Sequence, residues 1–74
     1  MRIEYDKEVD ALYIKLRDGN IADTQDINEG VTLDIDDNGL IIGIEILDAS
    51  ERLTLSDIES LTIEDLQLKK ITFV

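Results

Sequence analysis

Apolar and polar residues alternate along much of the first 47 residues. The stretches "MRIEY", "ALYIKLR" and "VTLDI" each place an apolar side chain at every second position. A period of two is typical of β-strands with one buried and one solvent-facing side. A further stretch, "IADTQDI", has isoleucines only at its ends and predicts a weak, solvent-facing strand.

Three polar turn signals separate these stretches: Asp18–Asn20, Asn28–Gly30 and Asp36–Gly39. Gly and Asn tolerate positive φ angles, so the first signal predicts a turn of the hairpin kind. The third has the length and composition of a four-residue turn.

The stretch "LIIGIEIL" is apolar on both sides of a strand. One side carries Leu40, Ile42, Ile44 and Ile46, and the other carries Ile41, Gly43, Glu45 and Leu47. A strand that is apolar on both sides is central and covered on both faces. We therefore expect it in the sheet interior, paired with "VTLDI" through the Asp36–Gly39 turn.

The spacing changes after Leu47 and becomes helical. Leu55, Ile58 and Leu61 recur every third residue, as on one stripe of a short helix. Ser56 followed by Glu59 predicts a capping box, and Thr62 followed by Asp65 resembles a second helix start. "QLKKITFV" looks extended, with a break at Lys69–Lys70.

These elements predict one small α+β domain over residues 1–74. Its fold is an antiparallel β-meander of four to five strands, with one or two short helices on one face and a short C-terminal extended segment.

The charge balance bounds the partners. The chain has 18 acidic and 7 basic residues, a net charge of −11, and 43% hydrophobic residues, enough for a folded core. Nucleic acids and acidic membrane surfaces are disfavoured, because both are bound through Lys and Arg. A basic protein partner fits better. The absence of a long apolar run and the early charges in "MRIEYDKEVD" lead us to expect a cytoplasmic protein.

The stretch "DIDDNGLIIGIE" matches the pattern of an EF-hand calcium loop, with ligand positions at Asp34, Asp36, Asn38 and Glu45 and the turn glycine at Gly39. An EF-hand needs a helix on each side of the loop, but both flanks here have the period of strands. An extended chain would place Glu45 about 20 Å from Gly39 at about 3.3 Å per residue. We expect a hairpin turn without a metal site. A divalent-cation-binding domain that uses the Asp34–Gly39 turn is the alternative function.

The chain lacks the residues of common catalytic sites. Cys and His are both absent, so thiolate and imidazole chemistry is excluded, and Ser50, Ser56 and Ser60 have no histidine base. Asp6 and Asp10 could serve as paired carboxylates for acid–base work, but such pairs need burial or a charged neighbour, and this segment has the character of an exposed loop. We therefore expect them to be turn-forming aspartates next to a strand. We expect no catalytic, cofactor-binding or metal-binding residue and no enzymatic activity.

Three other residues have structural interpretations. Tyr5 and Tyr13 fit sheet positions with solvated hydroxyls. Gly43 lies in an otherwise apolar strand and indicates a bulge or a close backbone approach.

The stretches "IEYDKEVDALYIKL" and "EGVTLDIDDNGLIIGIEILDAS" resemble a small, mostly bacterial and archaeal family known as domain of unknown function 2283. The resemblance covers about the first two-thirds of the chain, through about Leu53. It implies no site residues, because the family has no accepted catalytic role. Some relatives resemble the antitoxin of small toxin–antitoxin pairs, which implies a neutraliser of a basic partner as one function.

The apolar pattern also predicts self-association. Ile41 and Leu47, with Ala11 and Tyr13 on the neighbouring strand, would form an apolar patch if one short helix covered only one face of the sheet. A two-fold homodimer would bury such a patch. In the alternative, "QLKKITFV" folds back over it and leaves a monomer. The leading function is therefore a non-enzymatic, acidic protein-interaction module, expected to be a homodimer.

Overall fold

The computed structural model describes residues 1–64 of the chain. The predicted extended segment "QLKKITFV" and the Asp65 end of the predicted Thr62 helix start lie outside the described residues. Within these residues the chain forms five strands followed by two short helices. Their bounds are β1 (Arg2–Asp6), β2 (Ala11–Lys15), β3 (Asp23–Asn28), β4 (Val31–Ile35), β5 (Ile41–Leu47), α1 (Ala49–Arg52) and α2 (Leu55–Glu59).

The strands form one antiparallel sheet in the order β1-β2-β5-β4-β3. Strand β5 lies at its centre, and the Asp36–Gly39 turn connects it to β4. Both predictions for "LIIGIEIL" are thus confirmed. Strands β3, β4 and β5 follow one another as a meander, and the β1–β2 hairpin pairs with the free side of β5.

The Asp18–Asn20 signal does not form the expected hairpin turn, because β2 and β3 are not neighbours in the sheet. The amide of Leu16 instead donates to the carbonyl of Ile42 on β5, at 2.9 Å. The apolar strand β5 lies beside β2 in place of β3. In this position β5 is paired on both edges and buried, and its burial outweighs the local turn signal.

A bulge interrupts the predicted alternation along β5. Asp34 pairs with Gly43, but the next pair is Ile35 with Ile41, so Ile42 is an extra residue. Ile42 is only 3% exposed and borders the same cleft as Tyr13. The prediction that Ile42 shares a face with Ile44 and Ile46 is therefore wrong, since residues across a bulge lose the period of two.

The connection between β2 and β3 covers this side of β5. A Cβ atom on Gly19 would lie 3.4 Å from Cδ1 of Ile42, so Gly19 lies within van der Waals reach of this side chain. We expected a second copy of the chain to cover the face of the sheet that the helix leaves open. The connection between β2 and β3 already covers part of this face.

The apolar face of the sheet is the one on which α2 packs. Cross-strand pairs of aliphatic side chains define this face: Ile3 with Ile14, Ile14 with Ile44, Ile44 with Leu33, Leu12 with Ile46, and Ile46 with Val31. Ile58 of α2 and Leu61 border a cavity with Ile3, Leu12 and Ile14. The helical segment therefore covers the β1–β2 part of the apolar face.

Helix α2 begins two residues earlier than predicted, because its N-cap residue is Thr54 and not Ser56. The hydroxyl of Thr54 accepts the amide of Asp57 at 3.1 Å, and the Asp57 carboxylate accepts the amide of Thr54 at 2.9 Å. The capping box is thus Thr54–Asp57 and not Ser56–Glu59, since Ser56 already lies inside the helix. Within residues 1–64, no helix is long and apolar enough to cross a membrane.

Candidate functional site

The polar face of the sheet, opposite α2, gathers most of the polar side chains of the strands. Its residues lie in two neighbouring cross-strand rows. One row contains Arg2, Lys15, Gly43, Asp34 and Thr24, and the other contains Glu4, Tyr13, Glu45, Thr32 and Asp26. Both basic residues of the two rows, Arg2 and Lys15, lie on β1 and β2, whereas the carboxylates extend across to β3.

The side chain of Tyr13 crosses the central strand above Gly43. Its hydroxyl donates to Oδ2 of Asp34 on β4, at 2.7 Å. A Cβ atom on Gly43 would lie 1.9 Å from this hydroxyl and 2.5 Å from the ring carbon that carries it. Only glycine leaves room for the crossing. The close approach expected at Gly43 is therefore present, and its partner is a side chain.

The surroundings of Tyr13 hold its hydroxyl in the neutral, donating form. Burial, the hydrogen bond to Asp34 and the negative charges of Asp34, Glu45 and Glu4 together raise the pKa of Tyr13 to about 12. At neutral pH the pair is thus a phenol that donates to a carboxylate.

A cleft of about 400 Å³ opens beside this pair and is bordered by three basic side chains. Each has a carboxylate partner: Arg2 pairs with Glu4 at 2.6 Å, Lys15 with Asp18 at 2.8 Å, and Arg17 with Asp36 at 3.7 Å. The hydrogen bond from Lys15 also lowers the pKa of Asp18. The positive charges of the cleft are therefore largely offset by the protein's own acidic groups.

The calcium-loop residues occupy a tight turn. One carboxylate oxygen of Asp36 accepts the amides of Asn38 and Leu40, both at 2.9 Å. The amide of Gly39 donates to the carbonyl of Asp36 at 3.0 Å, and Gly39 has a φ of 80°. Asp36 therefore stabilises the β4–β5 turn from within, as the hairpin interpretation predicts.

Two further positions of the calcium-loop pattern, Asp34 and Glu45, lie on the strands that flank this turn. Asp34 accepts the hydroxyl of Tyr13 on the polar face. Glu45, on β5, lies opposite Tyr13 of β2 and Thr32 of β4 in the sheet. In the part of the chain that the structure describes, no three Asp or Glu side chains are grouped so as to hold a metal ion.

A second polar cluster links distant parts of the chain at Asp10. One carboxylate oxygen of Asp10 accepts the hydroxyl of Tyr5 at 2.6 Å and the amide of Ser50 at 3.0 Å. Its other oxygen accepts the hydroxyl of Ser50 at 2.7 Å. The bonds from Ser50, and then that from Tyr5, lower the pKa of Asp10. The same bond to Asp10 raises the pKa of Tyr5.

Asp6 and Asp10 do not act as a carboxylate pair. Asp6 accepts the amides of Glu8 and Val9 at 2.9 and 3.4 Å and so shapes the β1–β2 turn. Asp10 has a positive φ of 54° and joins this turn to the start of α1. The turn-forming role expected for Asp6 is confirmed, whereas the sequence missed the long-range bonds of Asp10.

Only one of the partnerships on these surfaces carries a signal in the sequence. Gly43 in an apolar strand indicated a close approach, but the identities of Tyr13 and Asp34 follow only from the strand order. The expectation of solvated tyrosine hydroxyls is wrong, because both donate to aspartates. Ser50 binds Asp10 across 40 positions of the chain, a link that no local pattern reveals.

The apolar patch expected on this face is interrupted. Ala11 and Leu47 are a cross-strand pair, and Leu47 is 40% exposed. Ile41 is 44% exposed, but the bulge pairs it with Ile35, which alternates with Asp34 and therefore belongs to the apolar face. Since directly opposite residues share a face, Ile41 and Leu47 lie on opposite faces and do not form one continuous apolar surface.

The architecture defines a small α+β protein built on an open antiparallel sheet with two short helices. A family profile described as "Protein of unknown function (DUF2283)" matches residues 2–50 of the 74-residue chain. The chain belongs to this family, and the match spans all five strands and the start of α1. Comparison with curated proteins gives no match, and neither does comparison with solved structures.

Proposed function

We propose that this protein is a non-enzymatic, acidic protein-interaction module that self-associates as a homodimer. The observation that carries the proposal is the distribution of apolar side chains. Within residues 1–64, only Leu12, Ile42 and Ala49 are buried hydrophobic residues, whereas eleven large hydrophobic side chains are exposed. A domain of this size has little core of its own, so burial against another protein chain would stabilise it.

The internal hydrogen bonds support a binding role over a catalytic one. Tyr13 binds Asp34, Asp36 caps its turn, and Asp10 ties Ser50 to Tyr5. Each of these groups makes a hydrogen bond that stabilises the fold. Among the described residues, none of them lies in a cleft together with a nucleophile and a general base.

The acidic surface supports a basic protein as a further partner. With such a partner, the protein would act as an antitoxin-like neutraliser. The net charge is −11, and Glu45 and Asp26 extend one acidic row of the polar face towards the β3 edge. Inspection of the neighbouring genes for one that encodes a basic protein, followed by co-expression with that protein, tests the role. The wild-type chain should relieve that protein's toxicity, and the doubly substituted Glu45→Lys, Asp26→Lys chain should not.

Light scattering across a concentration series tests the self-association. At tens of micromolar the mass should be twice the 8.4 kDa of one chain and should fall towards 8.4 kDa on dilution. A constant mass of 8.4 kDa at all concentrations would refute the homodimer.

A further inference from the structure

We propose that the homodimer forms through strand β1, which pairs antiparallel with β1 of a second copy about a two-fold axis centred on Ile3. This inference rests on the self-association proposed above and names its surface. The result would be one continuous ten-stranded sheet. A two-fold axis perpendicular to the sheet reverses the strand direction and keeps each face on its own side, so the two apolar faces join.

Within residues 1–64, β1 and β3 are the two edge strands of the sheet, and they differ in how they are protected. Strand β3 has a bulge between Asp26 and Asn28, and its charged residues, Asp23 and Asp26, are all acidic. Bulges and like charges are common devices that prevent edge strands from pairing. Strand β1 pairs with β2 without any register shift from Arg2 to Asp6. The outer edge of β1, which faces away from β2, is therefore regular, unlike the outer edge of β3.

The side chains of β1 are self-complementary in one register. Directly opposite residues of an antiparallel pair share a face, so Ile3 opposite Ile3 aligns both apolar faces. This register places Arg2 opposite Glu4 of the second copy, and the two-fold axis creates that pair twice. A shift of the centre to Glu4 would place two like charges face to face.

The exposure of these side chains leaves them available. Ile3 is 41% exposed although it lies on the apolar face, beside the cavity that Leu61 also borders. Arg2 and Glu4 of one chain form an ion pair at 2.6 Å, with side chains 66% and 54% exposed. Since both are largely solvated, they can exchange this pairing for the one between copies.

A charge exchange tests the register. Arg2→Glu or Glu4→Arg alone would place like charges opposite each other twice, and we expect a roughly tenfold weaker dimer by light scattering. The double exchange of Arg2→Glu with Glu4→Arg should restore the wild-type dimer. Lys7→Glu, a matched charge change outside β1, should leave the dimer intact. Circular dichroism checks that each variant folds.

Cysteine cross-linking tests the contact directly, because the chain has no natural cysteine. Ile3→Cys lies on the proposed axis and should give a disulfide-linked dimer under mild oxidation. Gln25→Cys, on the opposite edge strand β3, should remain monomeric on a denaturing gel.

The outcomes separate the two proposals. A wild-type chain that is monomeric would overturn both the homodimer and the β1 interface. A dimer that is indifferent to the charge exchange, or that cross-links equally well through Gln25→Cys, would overturn the β1 interface and leave self-association standing.

Discussion

Gly43, which has no side chain, makes room for a hydrogen bond between the two strands that flank β5. It lies between Lys15 and Asp34 in a cross-strand row, and Tyr13 passes over it to reach Asp34. The sequence indicated a close approach at Gly43. It could not name Tyr13, because the approach depends on β2 and β4 lying on opposite sides of β5.

Gly43→Ala should destabilise the protein by about 1–3 kcal/mol, because the new methyl group displaces Tyr13 and the Asp34 carboxylate loses the hydrogen bond from the Tyr13 hydroxyl. Urea unfolding measures this change. Gly19→Ala is the matched control, since a Cβ there meets Ile42 only at ordinary contact distance, 3.4 Å. Equal stability losses in the two variants would contradict the crossing.

The raised pKa of Tyr13 makes stability depend on pH in the alkaline range. Its pKa of about 12 in the folded chain exceeds the ordinary value of 10.0. The contribution of the neutral hydroxyl is therefore complete below pH 10 and is lost as the pH rises towards 12.

The free energy of unfolding should fall more steeply between pH 10 and 12 for the wild type than for Tyr13→Phe. Absorbance at the tyrosinate band should show one tyrosine that ionises near pH 12. Identical pH profiles for the two proteins would show that the hydroxyl is not held by Asp34.

At the scale of the elements, α2 illustrates the limit of local capping signals. Thr54–Asp57 and Ser56–Glu59 both have the capping-box spacing, and their sequences do not decide between them. The structure selects Thr54, which places Ile58 beside Leu12 and Ile14 of the sheet. Packing on the apolar face therefore settles where this helix begins.

Thr54→Ala should cost about 1 kcal/mol of stability, because the first turn of α2 loses its acceptor for the amide of Asp57. Ser56→Ala, the control at the site that the sequence favoured, should change the urea midpoint little. A larger effect at Ser56 than at Thr54 would contradict the observed cap.

Asp10 fixes the start of α1 against the β1–β2 turn. Asp10→Asn should lower the urea midpoint at neutral pH, because the carboxylate loses its paired bonds with Ser50 and Tyr5. Asp37→Asn, a substitution of the same chemistry at an exposed turn position, is the control and should be neutral.

The pH dependence gives Asp10 a second readout. Its pKa is lower in the folded chain than the ordinary 3.8, so its contribution is present above that value and is lost as the pH falls through the lowered one. The difference between wild type and Asp10→Asn should therefore shrink at acidic pH. A difference that is constant with pH would show that the charge is not what matters.

For the whole molecule, the hydrophobic pattern was sufficient to predict the sheet, the interior position of β5 and the β4–β5 turn. The order of the strands was not predictable from the Asp18–Asn20 signal, because pairing of β2 with β5 joins residues about thirty positions apart. The bulge at Ile42 was equally hidden, since it depends on the register between two strands.

Calcium should not bind at the β4–β5 turn. Calorimetric titration should detect no site with a dissociation constant of roughly 10 μM or tighter, the range of calcium sensors. Asp36 is engaged by turn amides and Asp34 by Tyr13, so neither is arranged to coordinate a cation. Binding that is lost in Asp36→Asn would promote the cation-binding alternative.

The central claim is that a second copy pairs with the β1 edge, and hydrogen exchange at increasing protein concentration tests it most directly. The outward-facing backbone amides of β1 should become more protected as the dimer forms, while those of the opposite edge strand β3 should not change. Exchange that is independent of concentration at both edges, or protection that rises at β3 alone, would contradict the claim.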